Sequence, residues 1–244
     1  MSGQARVALV TGGARRVGRA IALELARAGY DVAVHCRRSL DDARQTVARI
    51  ESLGRRAALI QADLTDAGAP RLLVDQTVGQ LGGLNVLVNN ASLWEPTPLA
   101  DLSRESWEAH LAANLTAPAM LAQQAWPHLR ARPPGRVVNI CDISADRPWA
   151  DYVAYCVSKG GLVTLTRALA KAMAPDVCVN GISPGVALLP DACDEETRRT
   201  ALRRVPLKRE GQVDDVAAAV RFLVEGGDYI TGQIINVDGG RSIA

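Results

Sequence analysis

Val7-Ala8-Leu9-Val10-Thr11-Gly12-Gly13-Ala14-Arg15-Arg16-Val17-Gly18 is an apolar run that ends in a glycine-rich turn and passes directly into a helical pattern. The run predicts a buried strand, and the amphipathic spacing from Val17 to Ala28 predicts a helix packed against it. Glycines at a strand-to-helix turn let backbone amides approach a pyrophosphate, and the helix amino terminus adds partial positive charge there. The stretch therefore nominates Thr11, Gly12, Arg16, Val17 and Gly18 as nucleotide contacts. Its spacing departs from Gly-x-Gly-x-x-Gly, and Arg16 offers a guanidinium for an anionic phosphate where a small residue is usual.

Outward from this stretch the same unit repeats in kind. Strands are predicted at Val7 to Val10, Asp31 to His35, Ala57 to Gln61, Val86 to Asn89, Arg136 to Ile140, Val177 to Ile182 and Ile234 to Val237. Helical patterns fill the intervals at Val17 to Ala28, Asp41 to Leu53, Pro70 to Leu81, Ser103 to Leu129, Val153 to Met173 and Val213 to Val224. Strict β-α alternation predicts an α/β fold, a doubly wound parallel sheet with helices on both faces. No internal repeat or linker divides the sequence, so residues 1–244 are expected to form one domain. The segment from Pro184 to Pro206 breaks the rhythm and is expected to be a substrate lid at about 184–206.

Composition narrows the chemistry. With 28 basic and 26 acidic side chains the formal charge is +2, which lacks the basic excess typical of nucleic-acid binders. The five cysteines, at 36, 141, 156, 178 and 193, form no Cys-x-x-Cys pair and are odd in number, as free thiols in a reducing compartment would be. His35, His110 and His128 have no second ligand at helical spacing, so no metal is expected. Met1 to Gln4 do not resemble a signal peptide, and no uncharged apolar stretch reaches the roughly 18 residues of a membrane span. The expected location is cytoplasmic.

The second predicted strand ends at His35-Cys36-Arg37-Arg38-Ser39, with no carboxylate to hold ribose hydroxyls. Arginine and serine there can hydrogen-bond a ribose 2′-phosphate at roughly 1.5 to 3 kcal/mol per charge-assisted bond, which favours NADPH over NADH. Asp63 ends the third strand and can accept from an adenine amino group. Asn89 to Ala91 end the fourth beside the same crevice.

Tyr155 and Lys159, four residues apart on a helical stretch, project from one face. An ammonium nearby would lower the phenol's pKa from about 10 towards working pH and make it a usable proton donor or acceptor. Asp142 precedes Tyr155 by thirteen residues at the end of a strand, the edge where open α/β sheets bind ligands. Pro118 follows Asn114 by four residues and has no N–H to bond its carbonyl, so a kink is expected, with the freed oxygen holding a water near Lys159.

In these features the chain resembles the short-chain dehydrogenases/reductases over nearly its whole length, through the Thr11 to Gly18 turn, Asp63, Asn89-Asn90-Ala91, Asn114, Tyr155 with Lys159, Pro184-Gly185 and Val237-Asp238-Gly239-Gly240. The resemblance implies a Rossmann-like sheet, proton transfer by Tyr155, ribose binding and tuning by Lys159, and a water relay at Asn114. It also implies Pro184 and Gly185 at the cofactor, and a homotetramer with the last helix and strand at an interface. After Pro184-Gly185, Val186-Ala187-Leu188 lacks the threonine that many members set on the carboxamide. Members mostly carry serine where Asp142 stands and glycine where Arg16 stands.

Both departures follow the pattern of the pteridine reductases, which the chain also resembles at His35 to Ser39, Asn90-Ala91-Ser92 and Pro96-Thr97-Pro98. This implies cofactor and pterin contacts for Arg16 and Ser92, ring stacking for Trp94, and a pterin contact for Asp142 beside Tyr155. A carboxylate would repel the oxyanion of ketone reduction but suits a ring rich in N–H donors. The expected reaction is NADPH-dependent reduction of a dihydropterin or dihydrofolate to its tetrahydro form. The alternatives are a carbonyl reductase such as a 3-oxoacyl-thioester reductase, and a non-catalytic NADPH-binding sensor.

Overall fold

The computed structural model describes residues 5–185 and 194–244. Seven strands, β1 (Val7–Val10), β2 (Asp31–Cys36), β3 (Ala57–Gln61), β4 (Val86–Asn89), β5 (Gly135–Ile140), β6 (Val177–Pro184) and β7 (Ile234–Val237), form one sheet in the order β3-β2-β1-β4-β5-β6-β7. Every neighbouring pair is parallel. Burial on both faces explains why β1 and the Val32-Ala33-Val34 centre of β2 read as continuous apolar runs rather than alternating ones.

Between the strands run α1 (Arg16–Arg27), α2 (Leu40–Ser52), α3 (Ala69–Leu81), α4 (Arg104–Leu111), α5 (Ala117–Arg130) and α6 (Val153–Ala172). α7 (Glu195–Arg203) and α8 (Val213–Glu225) lie between β6 and β7. α1 packs on α2 and α8 over one face, and α3 packs on α5 over the other. Ile21, Leu25 and Val220 meet Val10 and Val34 in one core, while Leu73, Leu121 and Leu129 meet Leu9 and Leu87 in the second. This is the doubly wound α/β architecture expected. Winding reverses between β1 and β4, the switch point at which such sheets open a crevice beyond their carboxyl ends.

Two expectations change in detail. The single long helix over Ser103 to Leu129 is two helices joined by a π-helical turn at Ala112–Thr116, in which Ala117 N–H reaches the Ala112 carbonyl. Pro118 has no N–H to continue the regular ladder, and the wider turn absorbs the loss. Of the expected lid, residues 186–193 lie outside the described residues; the remainder contains α7. Among the described residues no helix is long and apolar enough to cross a membrane, and no cluster of His, Cys, Asp or Glu could hold a metal.

Candidate active site

A crevice of about 870 Å³ opens at the carboxyl edge of the sheet, over the β1/β4 switch. The β1–α1 turn forms its floor. Gly12 has φ +62°, a region open to glycine at no steric cost, and a Cβ at Gly18 would collide with the Gly12 carbonyl oxygen and Asn90 Nδ2. Thr11 Oγ1 accepts from Asn90 N at 2.9 Å and Ala91 N at 3.0 Å, and Asn90 Nδ2 donates to the Thr11 carbonyl at 2.8 Å. Thr11 is thus buried behind the turn it fastens to the end of β4.

His35, expected among cofactor contacts, supports the turn from beneath. Gly12 N–H donates to its Nδ1 at 3.1 Å, which leaves Nε2 to carry the proton and donate to the Ala62 carbonyl at 3.1 Å. Burial holds the imidazole's pKa below the usual histidine value, so the ring stays neutral and keeps accepting.

Arg16 opens α1 at φ +48°, in the left-handed region that glycine fills freely. For a residue with a Cβ this conformation costs roughly 1 to 2 kcal/mol. A backbone built for glycine thus carries an arginine whose side chain lines the crevice.

At the outer end, Arg37 lines the crevice and its Nε pairs with Asp63 Oδ2 at 2.6 Å. Asp63 Oδ1 accepts from Thr65 N and Oγ1, and these bonds together with Arg37 hold its carboxyl below the usual carboxylate range. Arg38 and Ser39 do not line the crevice. Asn89 does not line it either. Its side chain is buried, with Nδ2 donating to Asn139 Oδ1 at 2.8 Å, and Asn90 is the residue that faces the crevice.

At the inner end, Asp142 caps a short turn by accepting Ser144 N–H on Oδ1 at 2.7 Å, and its Oδ2 accepts the Tyr155 hydroxyl at 2.9 Å. Lys159 Nζ, buried, donates to the Ile140 carbonyl at 2.8 Å and lies 5.7 Å from the Tyr155 ring centroid. The Tyr155 pKa is not lowered as expected. Burial, then the charge of Asp142, then the hydrogen bond to it raise the Tyr155 pKa well above the ordinary phenol value. The phenol is held protonated, as a donor. Burial pushes the Lys159 ammonium down from the usual lysine range while Asp142 opposes that shift.

The Asn114 side chain is fully engaged. Oδ1 accepts Leu93 N–H at 2.7 Å and the Ser92 hydroxyl at 3.2 Å, while Nδ2 donates to the Leu93 carbonyl and Ser158 Oγ, each at 2.9 Å. The π-helical turn thereby clamps the loop after β4, which carries Ser92 and Trp94 on the crevice wall.

Trp94, 47% exposed, stacks on Tyr152 with centroids 5.3 Å apart and planes at 10°. Trp149 lies edge-on to Tyr152 and parallel to Tyr155 at 6.2 Å. Thr97 pairs with Tyr152, and its Oγ1 accepts Ala154 N–H at 3.1 Å, so the two aromatic loops are joined. Trp149 and Tyr152 escaped the sequence reading, although Trp149-x-x-Tyr152-x-x-Tyr155 concentrates aromatics in a chain with only 4% of them. Cys156, given no role, accepts Trp149 N–H on Sγ at 3.3 Å and fixes that loop. Pro184 and Gly185 line the crevice beside Lys159.

Residues 12–242 match the family model described as enoyl-(acyl carrier protein) reductase. The 3-oxoacyl-[acyl-carrier-protein] reductase of Staphylococcus aureus is 35% identical over 237 residues, 96% of each chain. A ketoacyl reductase of granaticin polyketide synthesis from Streptomyces violaceoruber, named as putative, is 38% identical over 97% of this chain and 96% of its own. Among solved structures, FolM alternative dihydrofolate reductase 1 from Brucella canis, complexed with NADP, superposes with a TM-score of 0.90. It is 38% identical and covers 98% of this chain and 95% of its own.

Proposed function

Because the chain belongs to the short-chain dehydrogenase/reductase family, we propose that it is an NADPH-dependent reductase of a dihydropterin or dihydrofolate. The observation that carries this reading is the Asp142 carboxylate, which accepts the Tyr155 hydroxyl at 2.9 Å in a crevice walled by Trp94. An acceptor-only carboxylate pairs with N–H donors, not with an oxyanion.

The residues present fit the cofactor. The Gly12–Gly18 turn leaves room that a Cβ would fill, and Arg37 supplies a cation for a 2′-phosphate. NADPH supplies the hydride when bound. Thr11, Gly12, Val17, Gly18, Ala91, Lys159, Pro184 and Gly185 shape its site, and His35 keeps the turn in place. Asp142 orients the pterin by its ring N–H groups, Trp94 offers a stacking plane with about 0.5 to 1.5 kcal/mol beyond burial, and Ser92 a hydroxyl. Tyr155 would deliver a proton to ring nitrogen, and Arg16 would offer its guanidinium to a cofactor phosphate and the pterin. The same family reading carries a homotetramer, for which Phe222, exposed on α8, offers apolar surface.

A panel of dihydrobiopterin, dihydromonapterin, dihydrofolate and acetoacetyl thioester tests the proposal. NADPH oxidation is expected to accelerate with the pterins; acceleration by the thioester alone would overturn the reading. That outcome has specific support in the 35% and 38% identities to acyl reductases, and Asp142 stands against it. Tight NADPH binding with no turnover of any substrate would leave a sensor.

Arg16→Gly separates charge from backbone. Relief of the left-handed conformation, roughly 1 to 2 kcal/mol, opposes the extra chain entropy of glycine, about 0.5 to 1 kcal/mol. The melting temperature should therefore hold or rise slightly while pterin kcat/KM falls, by about tenfold or more for a lost charge-assisted bond. Unchanged kcat/KM would remove the guanidinium from the site.

A further inference from the structure

Three charged side chains on the crevice wall have no task in the pterin reading; Arg15 is paired with Asp42 and Glu108 with Arg104, which leaves Arg241. Arg241 begins the final turn of the chain, Arg241–Ile243, and lines the crevice. The turn is fixed from several sides. Asp238 accepts Gly240 N–H on Oδ1 at 2.9 Å and Ser242 N–H on Oδ2 at 2.7 Å. Arg147 Nη2 donates to the Ser242 carbonyl at 2.8 Å, and Asn236 Nδ2 to Ser242 Oγ at 3.0 Å. Gly240, at φ +87°, lies against Pro206 with no room for a side chain.

The charge so placed is not neutralised by contact. Among the described residues Arg241 forms no ion pair; Asp142 and Asp238 act on it from a distance, and Arg204, just beyond α7, repels it. Asp142 is bonded instead to Ser144 N and Tyr155, and Asp238 to the turn. A half-buried guanidinium with no ion pair is disfavoured until an anion joins it. A carboxylate matches the arginine fork in shape and charge.

We propose that Arg241 is a specificity-determining residue that takes a carboxylate on the substrate's side chain. The site then prefers a dihydropterin with an anionic tail, of the dihydrofolate kind, over one whose side chain is neutral. This inference rests on the pterin reading of the crevice and adds the substrate's tail to it.

Steady-state kinetics of the full chain with NADPH, comparing dihydrofolate with dihydrobiopterin, test it. In Arg241→Gln the KM for dihydrofolate should rise about tenfold, the loss of one charge-assisted contact, with kcat held and the dihydrobiopterin KM shifted far less. Arg241→Lys should recover part of the loss. Added salt should erode the preference in the parent protein and not in Arg241→Gln. Equal changes for both substrates, or none for either, would overturn the proposal. Failure of the parent protein to reduce either pterin would overturn the pterin reading itself, and this inference with it.

Discussion

Asp142→Ser is expected to lower kcat/KM for a dihydropterin by about 10- to 100-fold, the range for removing a charge-assisted hydrogen bond from a recognition site. The substitution restores the hydroxyl that short-chain reductases mostly carry at this position, so it subtracts a carboxylate without opening a large void. The Oδ2 bond to Tyr155 and the Oδ1 bond to Ser144 N–H are both exposed to the change, and serine can replace only part of them. Its pH signature separates a chemical role from a structural one. Of the three largest causes that raise the Tyr155 pKa, two come from Asp142, its charge and its hydrogen bond, and only burial remains after substitution.

The alkaline limb of the pH–rate profile, where the phenol deprotonates and can no longer donate, should therefore move to lower pH in Asp142→Ser. In the parent protein the raised pKa keeps the phenol protonated across the neutral range. By linkage, a folded-state pKa above the unfolded value near 10 contributes stability that is complete below pH 10 and is lost as pH rises beyond it. Asp142→Ser should shrink that alkaline loss. Assayed with a ketone or 3-oxoacyl thioester, the variant should hold or gain activity, because a hydroxyl can donate to a developing oxyanion and a carboxylate cannot. Unchanged pterin turnover and an unmoved alkaline limb would together remove Asp142 from the mechanism.

The parts of this molecule written locally in the sequence are those set by a single period. Val7–Val10, Ala57–Gln61, Val86–Asn89 and Ile234–Val237 begin and end where their apolar runs do. β6 extends past its expected end at Ile182 because Ser183 and Pro184 pair with Asn236 and Val237, a partner strand some fifty residues away. At the site, Tyr155, Lys159 and Asp142 could be found because spacing puts a helix face opposite a strand end. Asn89 and Asn90 part company because strand side chains alternate faces, so one residue decides between the interior and the crevice. Trp149, Tyr152 and Arg241 lie on loops and at the chain end. Their places depend on the Thr97–Tyr152 pairing and the Asp238 turn, contacts between segments far apart in sequence that no local pattern encodes.

Tyr155→Phe should have the largest effect of all, a fall in kcat of about 10² to 10⁴, the usual contribution of a positioned proton donor. The argument is geometric before it is electrostatic. The hydroxyl is held at the crevice wall by Asp142 Oδ2 on one side and by the parallel Trp149 ring on the other. Among the described residues, Lys159 Nζ is engaged with the Ile140 carbonyl, Ser92 Oγ with Asn114 Oδ1, and Ser144 Oγ is buried. Phenylalanine keeps the ring and therefore the stack, so NADPH affinity should change by less than about threefold, within the small effects usual for a substitution that retains packing. Asp142 then loses a donor but remains partly open to solvent, which limits the cost to stability to about 1 kcal/mol. Cofactor titration and thermal unfolding beside the kinetics would separate these consequences. A variant that binds NADPH, melts like the parent protein and still reduces a dihydropterin at more than about one-tenth of the parent rate would show that the proton reaches ring nitrogen by another route, with water as the donor.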